Sequence, residues 1–142
     1  MERVSKSFRL LDDTMDEHTT FKHVALACAD REKAKLFFTN ILGIPLTKTF
    51  KVSEKLADTF FGLEEEVNVD VYDNGEIVFE VFITKRRKQM SFEHTCIEIN
   101  NQQTFIERCR KYGIEPIIAN RNGKTYVFVR DFSDNLFEIK ER

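Results

Sequence analysis

An internal repeat is the sequence feature that most limits what this chain can fold into. Three short landmarks of one half return in the same order in the other half, which is hard to obtain by chance and indicates two copies of one structural unit. The recurring landmarks are Phe21 to His23 with Phe92 to His94, Gly43 and Ile44 with Gly113 and Ile114, and Phe79 to Val81 with Phe137 to Ile139. Two similar units in tandem are therefore expected.

The first copy follows the order strand, helix, strands. FKHVALACA alternates apolar and polar positions like a strand, Asp30 is a residue that can cap the helix that follows, and Gly43 is placed to end that helix. LTKTFKV, VNVDVYD and EIVFEVFI predict three more strands, and a tight turn at Asp73, Asn74 and Gly75 is expected to join the last two as a hairpin.

The second copy has the same order. FEHTCIEI predicts a strand, Asn100 has capping-box spacing with Gln103 at the start of a helix, and Gly113 ends it. EPIIA, KTYVFVRD and NLFEIKE then predict three short strands. The predicted fold class is α+β: two tandem βαβββ modules form a cupped, mostly antiparallel sheet with helices on the outside.

The expected domain limits follow from this pattern. Residues 1–20 are a polar N-terminal extension, and residues 21–142 form one domain with modules at 21–84 and 91–141. The copies differ mainly at Val52 to Leu63, an amphipathic insertion that the second copy lacks. Such a segment either packs against the sheet or forms a wall of a substrate pocket.

Charge and cysteine content restrict the class of partner. Lys and Arg number 22 against 24 Asp and Glu, so no strongly basic field favours nucleic acid or an anionic membrane. The three cysteines show no CxxC spacing, which argues against a disulfide framework, and the sequence has no apolar run long enough for a membrane span or signal peptide. A cytoplasmic protein that binds a small molecule, and neither nucleic acid nor a membrane, is expected.

Four side chains at repeated positions form the candidate site. Strand alternation places His23, Glu80, His94 and Glu138 on the face opposite the most apolar one, and each copy contributes one His and one Glu. A His or Glu on an open sheet face is ordinarily just solvated. Their equivalence in both copies favours a metal site instead, because imidazole and carboxylate together suit a divalent ion such as Zn, Ni, Co, Mn or Fe.

The same segments resemble the vicinal oxygen chelate superfamily, which includes glyoxalase I, bleomycin resistance proteins, fosfomycin resistance enzymes and extradiol dioxygenases. The resemblance rests on FKHVALACADREKAKLFFTNILGI, LADTFFGLEEEVNVDVYDNGEIVFEVF, SFEHTCIEINNQQTFIERCRKYGIEP and YVFVRDFSDNLFEIKE. It implies paired βαβββ modules and metal ligands at His23, Glu80, His94 and Glu138, in a site that lies within one chain or is shared across a homodimer.

The ligand pattern His, Glu, His, Glu is most similar to that of the glyoxalase branch. The resemblance implies a metal-dependent lyase or isomerase that moves a proton through a metal-stabilised enediolate of a small oxygenated substrate or thiol adduct, with Glu138 or Glu80 as the base. Two alternatives stay open: a non-catalytic binding protein of the resistance type, and an Fe(II) extradiol dioxygenase.

Two segments depart from the pattern of the resembling proteins. The Arg and Asn that hold glutathione in glutathione-dependent members have no counterpart in Val24 to Cys28 or Val81 to Thr84. The usual Asp-Pro-x-Gly-Asn turn before the last strand reads Asp131, Phe132, Ser133, Asp134, Asn135. The second change alters the loop but leaves Glu138 in place.

Overall fold

The computed structural model describes residues 18–85 and 90–142. Most of the predicted N-terminal extension, residues 1–17, lies outside the described residues. The helices and strands of the first copy are β1 (Val24–Cys28), α1 (an α-helical turn, Arg31–Lys35, continued by a π-helical stretch, Leu36–Ile41), β2 (Leu46–Val52), α2 (Glu54–Phe61), β3 (Val67–Asp73) and β4 (Val78–Ile83). Those of the second copy are β5 (Thr95–Ile99), α3 (Gln102–Lys111), β6 (Ile117–Arg121), β7 (Lys124–Arg130) and β8 (Leu136–Glu141).

Each copy forms its own four-stranded sheet with the same topology. The strand orders are β1-β4-β3-β2 and β5-β8-β7-β6. In each sheet the first and last strands of the copy pair in parallel and the other neighbours pair antiparallel. The α+β class and the two-module arrangement that the repeat predicts are confirmed.

One hydrophobic core joins the two copies. Phe38 of α1 packs near Phe79 of β4 and Phe137 of β8, with ring centroids 5.1 and 6.1 Å apart, and all three side chains are fully buried. Phe105 of α3 belongs to the same cluster. The face of each sheet that meets this core is the more apolar one, so the opposite face of each sheet is left without the cover of α1 or α3.

The element boundaries correct two local predictions. Asn101, not Asn100, caps α3: its side chain accepts a hydrogen bond from the Thr104 amide at 2.9 Å, and Gln103 instead donates to Glu107. The capping-box prediction was therefore wrong: the N-cap lies one residue later, and its N3 position holds Thr104 instead of Glu or Gln. The β3–β4 hairpin is present, but its loop runs over residues 74–77 because Asp73 pairs directly with Val78.

The turn before β8 ties the two copies together. Asn135 donates through its side chain to the backbone oxygen of Ala27 at 3.0 Å and to the buried Asp131 carboxylate at 2.9 Å. Burial raises the pKa of Asp131, and burial and the nearby Asp131 charge raise that of Cys28, whose thiol donates to the same carboxylate. The last strand of one copy is thus fixed against the first strand of the other.

Candidate functional site

The four predicted ligands form two equivalent pairs, one on each sheet. His23 immediately precedes β1 and its Nε2 lies 3.4 Å from Oε1 of Glu80 on β4. His94 immediately precedes β5 and its Nε2 lies 3.2 Å from Oε1 of Glu138 on β8. Both pairs arise because the first and last strands of each copy are parallel neighbours.

The register makes the two pairs equivalent. Ala25 lies opposite Glu80, and Cys96 lies opposite Glu138. In each copy the histidine is two residues before that position, on the same face of the strand as the glutamate. The side chains are partly exposed, at 42% for His23 and 34% for His94, so both pairs are open to a ligand from solvent.

The hydrogen bond made by Nδ1 of His94 determines whether Nε2 carries a proton or a lone pair in the neutral ring. Nδ1 lies 2.9 Å from the backbone oxygen of Phe92, and because a carbonyl oxygen only accepts, Nδ1 is the nitrogen that carries the proton. In the neutral ring, Nε2 then directs a lone pair at a carboxylate oxygen. Two facing acceptors need either a second ring proton or a cation between them.

This donor set fits a divalent metal ion. A metal-bound histidine commonly donates its other N–H to a backbone carbonyl, as His94 does. Imidazole nitrogen and carboxylate oxygen together suit Zn, Ni, Co, Mn or Fe. His94 with Glu138, and His23 with Glu80, are the residues that could hold such an ion.

The two pairs do not meet within one chain. Across residues 18–85 and 90–142, no group of three or more His, Cys, Asp or Glu side chains is close enough together to hold a metal ion. Each sheet therefore carries its own His–Glu pair, separate from that of the other sheet.

One neighbour of Glu138, Lys140, was not predicted from the sequence, whereas Cys96, two residues after His94, was expected to share the face of His94. The Lys140 ammonium lies 3.4 Å from Oε2 of Glu138, which leaves Oε1 directed at His94. Burial and the charge of Glu138 raise the pKa of the Cys96 thiol. Period-two alternation along β8, which places residues 138 and 140 on one face, is the signal that could have identified Lys140.

The fold consists of two paired modules, and the open face of each sheet carries one His and one Glu. Sequence comparison identifies the class of protein that has this fold. A sequence model of the Glyoxalase/Bleomycin resistance protein/Dioxygenase superfamily matches residues 22–128, well over half of the chain. The chain belongs to this superfamily, and the predicted resemblance is confirmed. No curated protein sequence is significantly similar to the chain.

Solved structures share the fold at low sequence identity. The fosfomycin resistance protein FosX from Listeria monocytogenes is 14% identical, with 89% of this chain and 95% of that chain covered and a TM-score of 0.69. A glyoxalase family protein from Bacillus cereus is 15% identical, with 89% and 97% covered and a TM-score of 0.68. One from Enterococcus faecalis is 18% identical, with 87% and 98% covered and a TM-score of 0.64.

At these identities the likeness shows the fold alone. A mutant of the Listeria FosX has been solved with Mn(II) and a dihydroxypropylphosphonic acid. Among the described helices of the present chain, none has the length and apolar character that crossing a membrane requires.

Proposed function

We propose that this protein is a metal-dependent lyase or isomerase of the glyoxalase type that acts as a homodimer. The ligand set joins His23 and Glu80 of one subunit with His94 and Glu138 of the partner subunit. The observation that carries the proposal is the pair of matched His–Glu contacts, at 3.4 and 3.2 Å, on the two open sheet faces. Each His–Glu pair supplies two of the four ligands. In a two-fold symmetric dimer, the first pair of each subunit meets the second pair of the other, which gives two complete sites.

The chemistry follows from the residue types. A divalent ion held there would supply positive charge that offsets the negative charge developing on a substrate oxygen when a neighbouring C–H is deprotonated. Glu80 or Glu138 accepts that proton and returns it to the adjacent carbon, so the substrate is rearranged without net oxidation. Lys140 orients Glu138 by holding its second oxygen.

Metal analysis tests the ligand set. Protein purified without chelator and loaded with Mn(II) or Ni(II) is expected to hold one ion per chain, and His23→Ala, His94→Ala, Glu80→Gln and Glu138→Gln are expected to lower metal affinity by about ten- to a hundredfold or more. Glu98→Gln, an exposed change on the same face of β5, is the matched control and should retain the ion. Absence of stoichiometric metal in the wild type would refute the enzyme proposal.

Proton exchange tests the reaction class. The hemithioacetal of methylglyoxal with a neutral thiol serves as the probe, in D₂O, with the metal-loaded protein. The expected result is metal-dependent incorporation of deuterium, observed by NMR, that falls by at least about a hundredfold when the glutamate acting as base is changed to Gln. Deuterium incorporation at the same rate with and without metal would contradict the proposal.

A non-catalytic binding protein is the second candidate, and an apolar cavity on the first sheet favours it. This cavity, of about 230 Å³, lies between β1, β4 and α2 and could hold a ligand without a metal. The two candidates differ in metal dependence. Tight binding of a small molecule to the metal-free protein, with no proton exchange in the loaded protein, would support the second.

A further inference from the structure

The cavity on the open face of the first sheet is formed by α2, the segment that the second copy lacks. Its apolar lining includes Ala25, Ala27, Ala57, Phe61, Leu63 and Phe82. The Phe61 and Phe82 rings meet edge to face at 5.5 Å and form one wall. Ala25 and Ala27 leave the space open because each presents only a methyl group to it.

The local sequence determines how α2 covers the sheet. Ser53 caps the helix by accepting from the Leu56 amide at 3.2 Å, and Gly62 ends it in the left-handed conformation at φ 70°. The chain then turns back toward β3. Ala57, which is 2% exposed, is the side chain of α2 that is buried against the rest of the copy, so the helix approaches the sheet closely there.

The cavity lies beside the His23–Glu80 pair, because Ala25, which lines it, is the register partner of Glu80. Ala25 is the direct neighbour of Glu80, and Ala27 is the direct neighbour of Phe82, two residues further along the same faces. Two residues along a strand span about 7 Å. A molecule whose oxygens reach Glu80 and His23 can therefore extend its remaining atoms into the cavity.

Beyond the His–Glu pairs, the open faces of the two sheets differ in polarity. The positions of Ala25, Ala27 and Phe82 in the first sheet correspond to Cys96, Glu98 and Lys140 in the second, by the shared strand register. The first sheet is thus apolar where the second carries charges. At the far end of the cavity, Thr84 donates to the Glu65 carboxylate at 3.0 Å.

We propose that this cavity is a subsite for a neutral alkyl or aryl group of the substrate, and that Ala25 and Ala27 set its size. The assignment of the reacting end of that substrate to the His23–Glu80 side rests on the function proposed above. A dry apolar cavity of about 150 Å³ is enough for benzene, so about 230 Å³ accommodates a substituted ring or a short chain. A substrate tail that bears negative charge is disfavoured, because its hydration would be lost among these methyl groups and rings and because the Glu65 carboxylate lies at the far end of the cavity.

Binding of neutral alcohols to the metal-free protein tests the subsite without reference to the reaction. In a ¹H–¹⁵N titration with butan-1-ol, pentan-1-ol and hexan-1-ol, saturable shifts are expected at the amides of Ala25, Ala27 and Thr84. Affinity should rise about fourfold per added methylene. Shifts that do not saturate, or that show no dependence on chain length, overturn the proposal.

A matched pair of substitutions locates the binding. Ala27→Leu fills the cavity and is expected to weaken hexan-1-ol binding at least about tenfold, since roughly two methylenes' worth of burial is lost. Ala119→Leu makes the same change on exposed β6 and should leave binding unchanged. The spectrum of each variant reports whether it is folded. Equal loss in both variants, or in neither, places the alcohols elsewhere and refutes the subsite.

Alkyl hydroxamates separate failure of the subsite from failure of the proposed function. On Mn(II)-loaded protein, hexanohydroxamate is expected to bind at least about tenfold tighter than acetohydroxamate, and Ala27→Leu should remove that gain while leaving acetohydroxamate affinity intact. A loaded protein that binds both hydroxamates equally refutes the subsite alone. A protein that binds no metal, yet binds alcohols in the predicted series, refutes the metal site and retains the subsite.

Discussion

At the scale of single residues, the open face of each sheet carries a histidine whose ring nitrogen points at a glutamate on the neighbouring strand. His94 is the more informative of the two because its Nδ1 bond to the Phe92 carbonyl fixes which nitrogen faces Glu138. Alternation along each strand predicted the face of all four side chains. The Phe92 bond could not be predicted, because it depends on the backbone path just before β5.

Tyr72 in the core provides a test of burial energetics. Its side chain is fully buried, its hydroxyl has no hydrogen-bond partner among the described residues, and burial raises its pKa to about 12. Tyr72→Phe removes an unsatisfied polar group, so the free energy of unfolding should rise by about 1 kcal/mol in urea denaturation. Tyr126→Phe, at a partly exposed position, is the control. A loss of stability on Tyr72→Phe would show that the hydroxyl is hydrogen-bonded.

Asp134 in the turn before β8 has a left-handed backbone, with φ 68°, at the position where resembling proteins have glycine. Its side chain is exposed, so the main effect of a substitution there is on backbone strain. We expect Asp134→Gly to raise the thermal midpoint, equivalent to at most about 1 kcal/mol, and Asp134→Ala to lower it, because alanine tolerates this conformation less well than aspartate. The same sign for both variants would contradict this account.

At the scale of secondary-structure elements, β2 and β3 match the predicted segments residue for residue. The π-helical stretch of α1 was not predicted, because it depends on how Phe37 and Phe38 pack into a core built from both copies. Its signature is the bond from the Leu42 amide to the Phe37 oxygen at 2.9 Å. Hydrophobic periodicity does not separate this stretch from an ordinary α-helix.

Helix α2 was predicted as an amphipathic segment, but its role as the cover of a cavity depends on the packing of Ala57 against the sheet. Ser53→Ala removes the N-cap bond to Leu56 and is expected to cost about 1 kcal/mol. Amide exchange within α2 should accelerate about fivefold, with smaller changes in β3 and β4, if the helix opens locally. Ser53→Asp retains an acceptor oxygen and should preserve protection. Uniform acceleration throughout the sheet would contradict local opening.

At the scale of the whole molecule, the repeat predicted two modules and the residues at equivalent places within them. It did not reveal how the modules face one another. That arrangement depends on the shared core of α1, α3 and both sheets, and on the contact of Asn135 with Ala27 across the copies. The outcome is that each chain presents its two His–Glu pairs separately, which is why we propose that two chains complete the site.

Complementation between two inactive variants tests this shared site most directly. His23→Ala breaks the first half of the ligand set and His94→Ala breaks the second, so neither homodimer should bind Mn(II) with wild-type affinity. When the two are unfolded together and refolded, half of the dimers formed at random are mixed, and each mixed dimer regains one intact site. We therefore expect about a quarter of the wild-type Mn(II) sites per chain to be recovered, as measured by electron paramagnetic resonance. No recovery in a verified mixed dimer would contradict it.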